Sequence, residues 1–212
     1  MTEARIGRIV AAAVHQALAD RLPLRLEFYE NWLKPMRLRA GTVGLAAFLA
    51  VLSFLREEDD HEYRPILRLA GCYAAEWSYA ASSRWSRLWR RRLPHARRQR
   101  AALDLTRQLV ELTSGTSRGT VHWRRGTGVL EIRGSVFCEV RTPRSEPLCD
   151  FYAGALDRYA ELLGVDRVAQ AESCRATGSE TCRIRLAPGP AASLREGEAI
   201  EAATAPGPGG RR

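Results

Sequence analysis

Cys149, Cys174 and Cys182 are the residues of this chain whose types and spacing best suit shared chemistry. Cys174 and Cys182 stand symmetrically about Gly178. In a hairpin turning at that glycine they oppose each other on one face, with Cβ atoms about 5 Å apart. Cys149 precedes a helical pattern, and a helix N-terminus favours a thiolate. Three thiolates at one point are ligands for a metal, and tetrahedral zinc needs a fourth. Glu172 is the nearest carboxylate in sequence, with Asp150 and Glu180 in reserve. Glu172 and Cys174 lie two apart and share a strand face, so ligation by both requires the strand to bend. Three free structural thiols are the competing reading.

The elements that must position these cysteines can be read from periodicity. A helix over 148–163 ends at Gly164, and a hairpin pairs 168–174 with 182–186. Upstream, segments 120–124 and 129–133 flank a Gly-containing turn, and Val136, Cys138 and Val140 alternate as a further strand or as a bulged continuation past Gly134. Before residue 115 the apolar spacing is helical, over 3–21, 24–33, 42–56, 63–82 and 101–112. The 42–56 segment is apolar nearly all round and is the expected central helix. The fold class is therefore α+β: N-terminal helices packed on a C-terminal antiparallel sheet, with one long helix between strands. Phe28, Trp32, Phe48, Tyr73 and Trp77 are the candidate lining of an apolar pocket, with core packing as the competing role. Arg56 to Asp60 is a charged loop or the first turn of a helix. Cys72 reads as a buried, inert thiol.

Residues 84–100 hold eight arginines. Arg84, Arg87, Arg90, Arg91, Arg92, Arg97 and Arg98 form a candidate basic patch beside Trp85, Leu88 and Trp89, suited to an anionic membrane or a phosphate backbone. The competing picture has both tryptophans anchored in the core and the arginines in water.

Composition limits the remaining classes. The chain has 212 residues and a formal charge of +9, with Lys34 the one lysine. An arginine bias of that kind follows from GC-rich coding, so the charge alone is weak evidence for nucleic acid. The N-terminal stretch reads as an amphipathic helix rather than a signal peptide, and the apolar run 43–55 falls short of the about 20 residues that a bilayer span needs. The expected location is cytoplasmic, where five cysteines are thiols or ligands rather than disulfides. One domain over 1–187 is expected, with a disordered Pro/Gly-rich tail over 188–212. Phosphate-loop, Gly-x-Ser-x-Gly and His-Glu-x-x-His motifs do not occur, and neither does a nicotinamide or flavin fingerprint, which argues against an enzyme.

The run Cys149-Asp150-Phe151-Tyr152-Ala153-Gly154, followed by Glu172-Ser173-Cys174 and Thr181-Cys182-Arg183-Ile184, resembles the end of the 4-vinyl-reductase (4VR) small-molecule-binding domain, which is related in fold to TRAPP subunits. The resemblance covers residues 145–187. It implies a mixed α+β domain that dimerises through helices, an apolar pocket, and a bracing zinc held by three cysteines and an acidic residue. Cys149, Cys174 and Cys182 map onto the cysteines. The family's acidic position falls on Ala171, with Glu172 one residue late. The expected function is a sensory module for a hydrophobic small molecule, a homodimer passing its signal to a protein partner. The alternatives are a TRAPP-like adaptor touching membrane or nucleic acid through the basic segment, and a tetrapyrrole vinyl reductase suggested by the family's name.

Overall fold

A computed structural model describes residues 5–33, 43–124, 127–140 and 142–189. The chain opens with the short strand β1 (Arg5–Ile6) and helices α1 (Arg8–Arg21) and α2 (Leu26–Leu33). Strand β2 (Val43–Gly44) leads into α3 (Leu45–Glu58), α4 (Asp60–Ala81), α5 (Arg84–Arg92) and α6 (His95–Thr113). The second half holds β3 (Arg118–Arg124), β4 (Thr127–Arg133), α7 (Asp150–Leu162), β5 (Arg167–Ser173) and β6 (Cys182–Pro188). The four long strands form one antiparallel sheet in the order β3-β4-β6-β5. Alternation places Leu130, Ile132, Cys182, Ile184 and Leu186 on the buried face and Glu131, Arg183 and Arg185 on the other. The α+β class and the antiparallel C-terminal sheet agree with the sequence pattern. The expected helix start at residue 3 moves to Arg8, because Ile6 pairs with Val43 and bridges Ser114.

The central helix is α4 rather than the apolar α3. Helix α4 lies against both α1 and α7, and glycines set how closely it approaches α7. A Cβ on Gly71 would fall 1.9 Å from the Phe151 carbonyl oxygen, and one on Gly154 would fall 2.2 Å from that of Arg68. Backbone against backbone leaves no flexible side chain to yield. Helix α3 instead packs against α2 and α4, burying Phe48, Val51, Leu52 and Leu55.

The expected third strand around Val136 is a 3-10 turn over Val136–Cys138. Gly134 has φ of +67°, the left-handed conformation that ends β4, and a Cβ there would meet the Thr116 carbonyl oxygen at 2.7 Å. The chain therefore dives beneath the sheet instead of extending it, and all three residues of the turn are buried. Strand β6 runs to Pro188; the tail from residue 190 and the side chain of Trp32 lie outside the described residues.

Gly71→Val should lower stability by about 1–3 kcal/mol or more through overpacking at the α4–α7 crossing. A urea unfolding midpoint equal to that of the wild type would show that the two helices can separate without cost.

Candidate metal centre and adjoining groove

Four cysteines meet in the core. Cys138, Cys149, Cys174 and Cys182 are all buried, with sulfurs within 4.8 Å of one another. The Sγ separations are 3.5 Å for Cys138 to Cys149, 3.2 Å for Cys149 to Cys174 and 3.9 Å for Cys174 to Cys182. A tetrahedral thiolate centre with metal–sulfur bonds of about 2.3 Å has sulfur–sulfur edges of about 3.8 Å, within this range. None of the four forms a disulfide.

Each cysteine is delivered by a different local device. Cys149 is the residue before the first turn of α7. Cys174 and Cys182 flank a turn completed by Gly178 at φ of +93°. Their opposition depends on a bulge. Ala171 pairs with Ile184, which would set Ser173 against Cys182, but the register shifts so that Ser173 pairs with Arg183. The extra residue in β5 is Glu172, and the slip brings Cys174 opposite Cys182.

Cys138 is held by the helices. The Tyr63 hydroxyl donates to the Phe137 carbonyl at 3.0 Å, and Arg56 donates to the Glu139 carbonyl at 3.1 Å. Phe137 stacks on Phe151 at 4.3 Å and meets the edges of Tyr152 and Phe48. Both neighbours of Cys138 are thereby fixed, and the Ser135 hydroxyl donates to its sulfur at 3.4 Å.

Backbone N–H groups also point at sulfur, from Leu148 to Cys174 and from Arg175 to Cys182, each at 3.4 Å. Hydrogen bonding from the Cys138 thiol first, then from Cys149 and Cys182, holds the Cys174 thiol far below its ordinary value. Desolvation opposes this shift. Burying a negative sulfur is tolerated where such donors converge.

The sequence-derived ligands thus divide. Cys149, Cys174 and Cys182 come together. Glu172 points away, its carboxylate 3.0 Å from Arg185 Nε on the outer sheet face. Asp150 accepts from Arg64 Nε at 3.0 Å, and Glu180 is exposed. The fourth position belongs to Cys138, hidden from sequence reasoning by an apparent strand alternation. Two signals pointed to it: a donor set one thiolate short, and Gly134 as a place to break the strand. Cys72 stands apart and half-buried on α4, donating to the Gly154 carbonyl at 3.5 Å, and burial pushes its thiol up.

The four pocket aromatics among the described side chains, Phe28, Phe48, Tyr73 and Trp77, do not converge. Phe48 is in the core, Phe28 packs on Phe54 at the surface, and Tyr73 stacks on Trp77 while donating to Asp20. A groove of about 740 Å³ instead lies between α4 and the 144–148 segment, lined by His61, Tyr63, Arg64, Arg68, Arg144 and Leu148 among others. Its far wall is tied down by the Arg144 N–H donating to the Ala176 carbonyl, and by ion pairs from Arg64 to Glu146 and to Asp150.

The basic patch is also divided. Arg91 donates to the Leu162 carbonyl at 3.0 Å, and Arg98 donates to those of Leu163 and Gly164, capping the end of α7. Arg90 is half-buried against Ser78 and Leu105, while Arg84, Arg92 and Arg97 are exposed. Arg87 is half-buried beside Tyr79. The tryptophans are not core anchors: Trp85 and Trp89 are 82% and 70% exposed.

No protein-family model and no curated protein matches the chain. Solved structures do. An H-NOX protein from S. oneidensis in the Fe(II)NO ligation state aligns over 86% of this chain and 99% of its own, at 10% identity and a TM-score of 0.56. The same organism's SO2144 H-NOX domain in the Fe(II)CO state aligns over 87% and 99%, at 10% identity and a TM-score of 0.51. The phenol-responsive sensory domain of the transcription activator PoxR, with phenol, aligns over 77% and 83%, at 19% identity and a TM-score of 0.49. The two H-NOX matches, at 10% identity, establish a shared chain fold.

Two expectations are corrected by these matches. The 4VR and TRAPP resemblance is not upheld, since no family model matches and the structures that share the fold are H-NOX domains. The structural zinc inferred with it falls too, because the neighbours that share the fold are described in iron ligation states.

The described residues do not fit haem in its place. Haem needs an enclosed apolar slot with an axial ligand pointing into it. His15 is 2.9 Å from Glu30, His95 is 3.2 Å from Gln99, His122 is 3.8 Å from Glu131 on the sheet, and His61 borders the open polar groove. Phe48, Phe137, Phe151 and Tyr152 fill the space between helices and sheet. The four thiols are spent on one another.

Tyr63→Phe should cost about 1–3 kcal/mol, because it leaves the buried Phe137 carbonyl without its donor. Urea unfolding checks this; an unchanged midpoint would mean that the Cys138 turn does not depend on the helices.

Proposed function

We propose that the chain is a small-molecule sensory module in which a thiophilic metal ion, held by Cys138, Cys149, Cys174 and Cys182, fixes the loop that walls the ligand groove. One observation carries this reading. Cys138 and Cys149 bracket residues 139–148, and that loop supplies Arg144, Ser145, Glu146 and Leu148 to the groove. A metal across its two ends closes the loop on the opposite side from solvent, and the β5–β6 turn joins it through Arg144 and Ala176. The shared fold with H-NOX proteins, whose described states carry NO or CO, supports a sensory role.

The groove's chemistry limits its occupant. Arg64, Arg68 and Arg144 are offset by Asp60, Glu146 and Asp150, and Tyr63, Pro65 and Leu148 supply apolar surface. So balanced a lining suits a small molecule with an apolar body and hydrogen-bonding groups, rather than a highly charged one. The metal's part is structural. Four thiolates complete a tetrahedron and leave no open position for substrate, which also argues against an enzyme at this centre.

Elemental analysis of the purified chain should find one thiophilic metal ion per protein, lost in Cys138→Ser and kept in Glu172→Gln. Hydrogen exchange should accelerate over residues 142–148 in Cys138→Ser. Native mass spectrometry against a panel of small aromatic compounds should give an adduct with the wild type that Cys138→Ser loses. A metal-free wild type with a fully protected loop would overturn the metal reading, and a metal-loaded protein that takes no compound from the panel would overturn the sensory one.

A further inference from the structure

Helix α5 reverses the usual arrangement of an amphipathic helix on a protein. Its inward side carries Ser86, Arg87 and Arg90, which are half-buried, whereas Trp85, Leu88 and Trp89 face solvent, Leu88 being 45% exposed. The exposed arginines Arg84, Arg91 and Arg92 flank these apolar residues. Burying such large aromatics is ordinarily favourable by several kilocalories, so two neighbouring tryptophans left in water mark a surface awaiting a partner. The helix is firmly seated without them. Ser83 accepts from the Ser86 N–H at its start, Arg91 holds the Leu162 carbonyl, and Tyr79 donates to the Arg87 carbonyl at 3.5 Å.

Charge selects the partner. From Trp77 to Leu103 the sequence has eight arginines and no acidic residue. A second copy docking its own α5 by two-fold symmetry would set arginine against arginine. Single-stranded nucleic acid could stack on the tryptophans, but Leu88 between them offers no stacking plane. An anionic lipid surface suits every exposed group: indole rings and a leucine enter the headgroup boundary, and flanking guanidinium groups meet the phosphates. The helix, nine residues and about 13 Å long, can only lie along such a surface. No helix among the described residues is long and apolar enough to cross a membrane.

We infer that α5 is a peripheral docking element for anionic lipid bilayers, inserting Trp85, Leu88 and Trp89 at the interface while Arg84 and Arg92 pair with headgroups and Arg91 keeps the helix seated on the Leu162 carbonyl. The inference is independent of the metal centre and of the groove. A sensory domain docked this way would keep its α4–loop groove free, since that groove and α5 share no lining residue.

The test is co-sedimentation of the full chain with vesicles of phosphatidylcholine, alone or with added phosphatidylserine, at low salt. Binding is expected with phosphatidylserine only, accompanied by a blue shift of tryptophan emission and weakened by salt. Each arginine near such a surface accounts for about fivefold in affinity, so Arg84→Gln with Arg92→Gln should weaken binding about 25-fold. Trp85→Ser with Trp89→Ser should abolish the blue shift and leave the fold intact, because both side chains are exposed. Absence of vesicle binding at low salt, or binding unchanged by both double variants, would overturn the inference. So would binding of single-stranded DNA, or self-association, that depends on the tryptophans while vesicles are ignored.

Discussion

The convergence of four buried sulfurs is the constraint on which the second half of this molecule depends. Cys138 comes from an irregular turn, Cys149 from a helix start, and Cys174 and Cys182 from the two ends of a bulged hairpin. Four thiols packed at 3.2–3.9 Å without a disulfide make poor core filler. Sulfur lone pairs and polarised S–H groups crowd one another, and backbone N–H groups aim at two of them. The proposed cation at the centre would resolve both the repulsion and the donor geometry. It would also cross-link three segments far apart in sequence, which hydrophobic packing does not do with comparable specificity.

Around the cluster, polar and aromatic groups transmit its position to the helices. Tyr63 on α4 and Arg56 on α3 bind carbonyls on either side of Cys138, and Phe137 lies on Phe151, two residues beyond Cys149. Arg64, one residue after Tyr63, binds Asp150, one residue after Cys149. The groove, the aromatic cluster and the sulfur cluster are thus three layers of one construction, with α4 as the common element. Arg64 ties α4 to the 142–148 loop through Glu146 and to the start of α7 through Asp150.

Much of the fold was legible because its elements follow strict periods. The β3–β4 and β5–β6 hairpins, α7 and the sequence of helices all appear in the apolar pattern. Three of the four sulfurs were also legible, since Gly178 centres Cys174 and Cys182. What escaped was irregular. Val136, Cys138 and Val140 alternate as a strand does, and only the left-handed Gly134 reveals that the chain turns under the sheet. Glu172 looked like a ligand because a bulge cannot be read from residue types; the bulge brings Cys174 to its partner and leaves Glu172 on the far face. Helix α3 looked central because it is apolar all round, yet closeness of approach is set by Gly71 and Gly154. The sequence left the tryptophans of α5 open between a membrane-facing and a core-anchored role, because a helical pattern shows which residues share a face and not which way it points; the structure turns them outward. The family resemblance rested on residues 145–187 and was not supported by comparison of the whole chain.

X-ray absorption at the edge of the bound metal, on the intact purified chain, tests the central claim most directly. The account predicts a first shell of four sulfur scatterers at about 2.3 Å with no oxygen or nitrogen neighbour. A light-atom ligand in the first shell, or a protein isolated without metal and with its cysteines paired as disulfides, would contradict it.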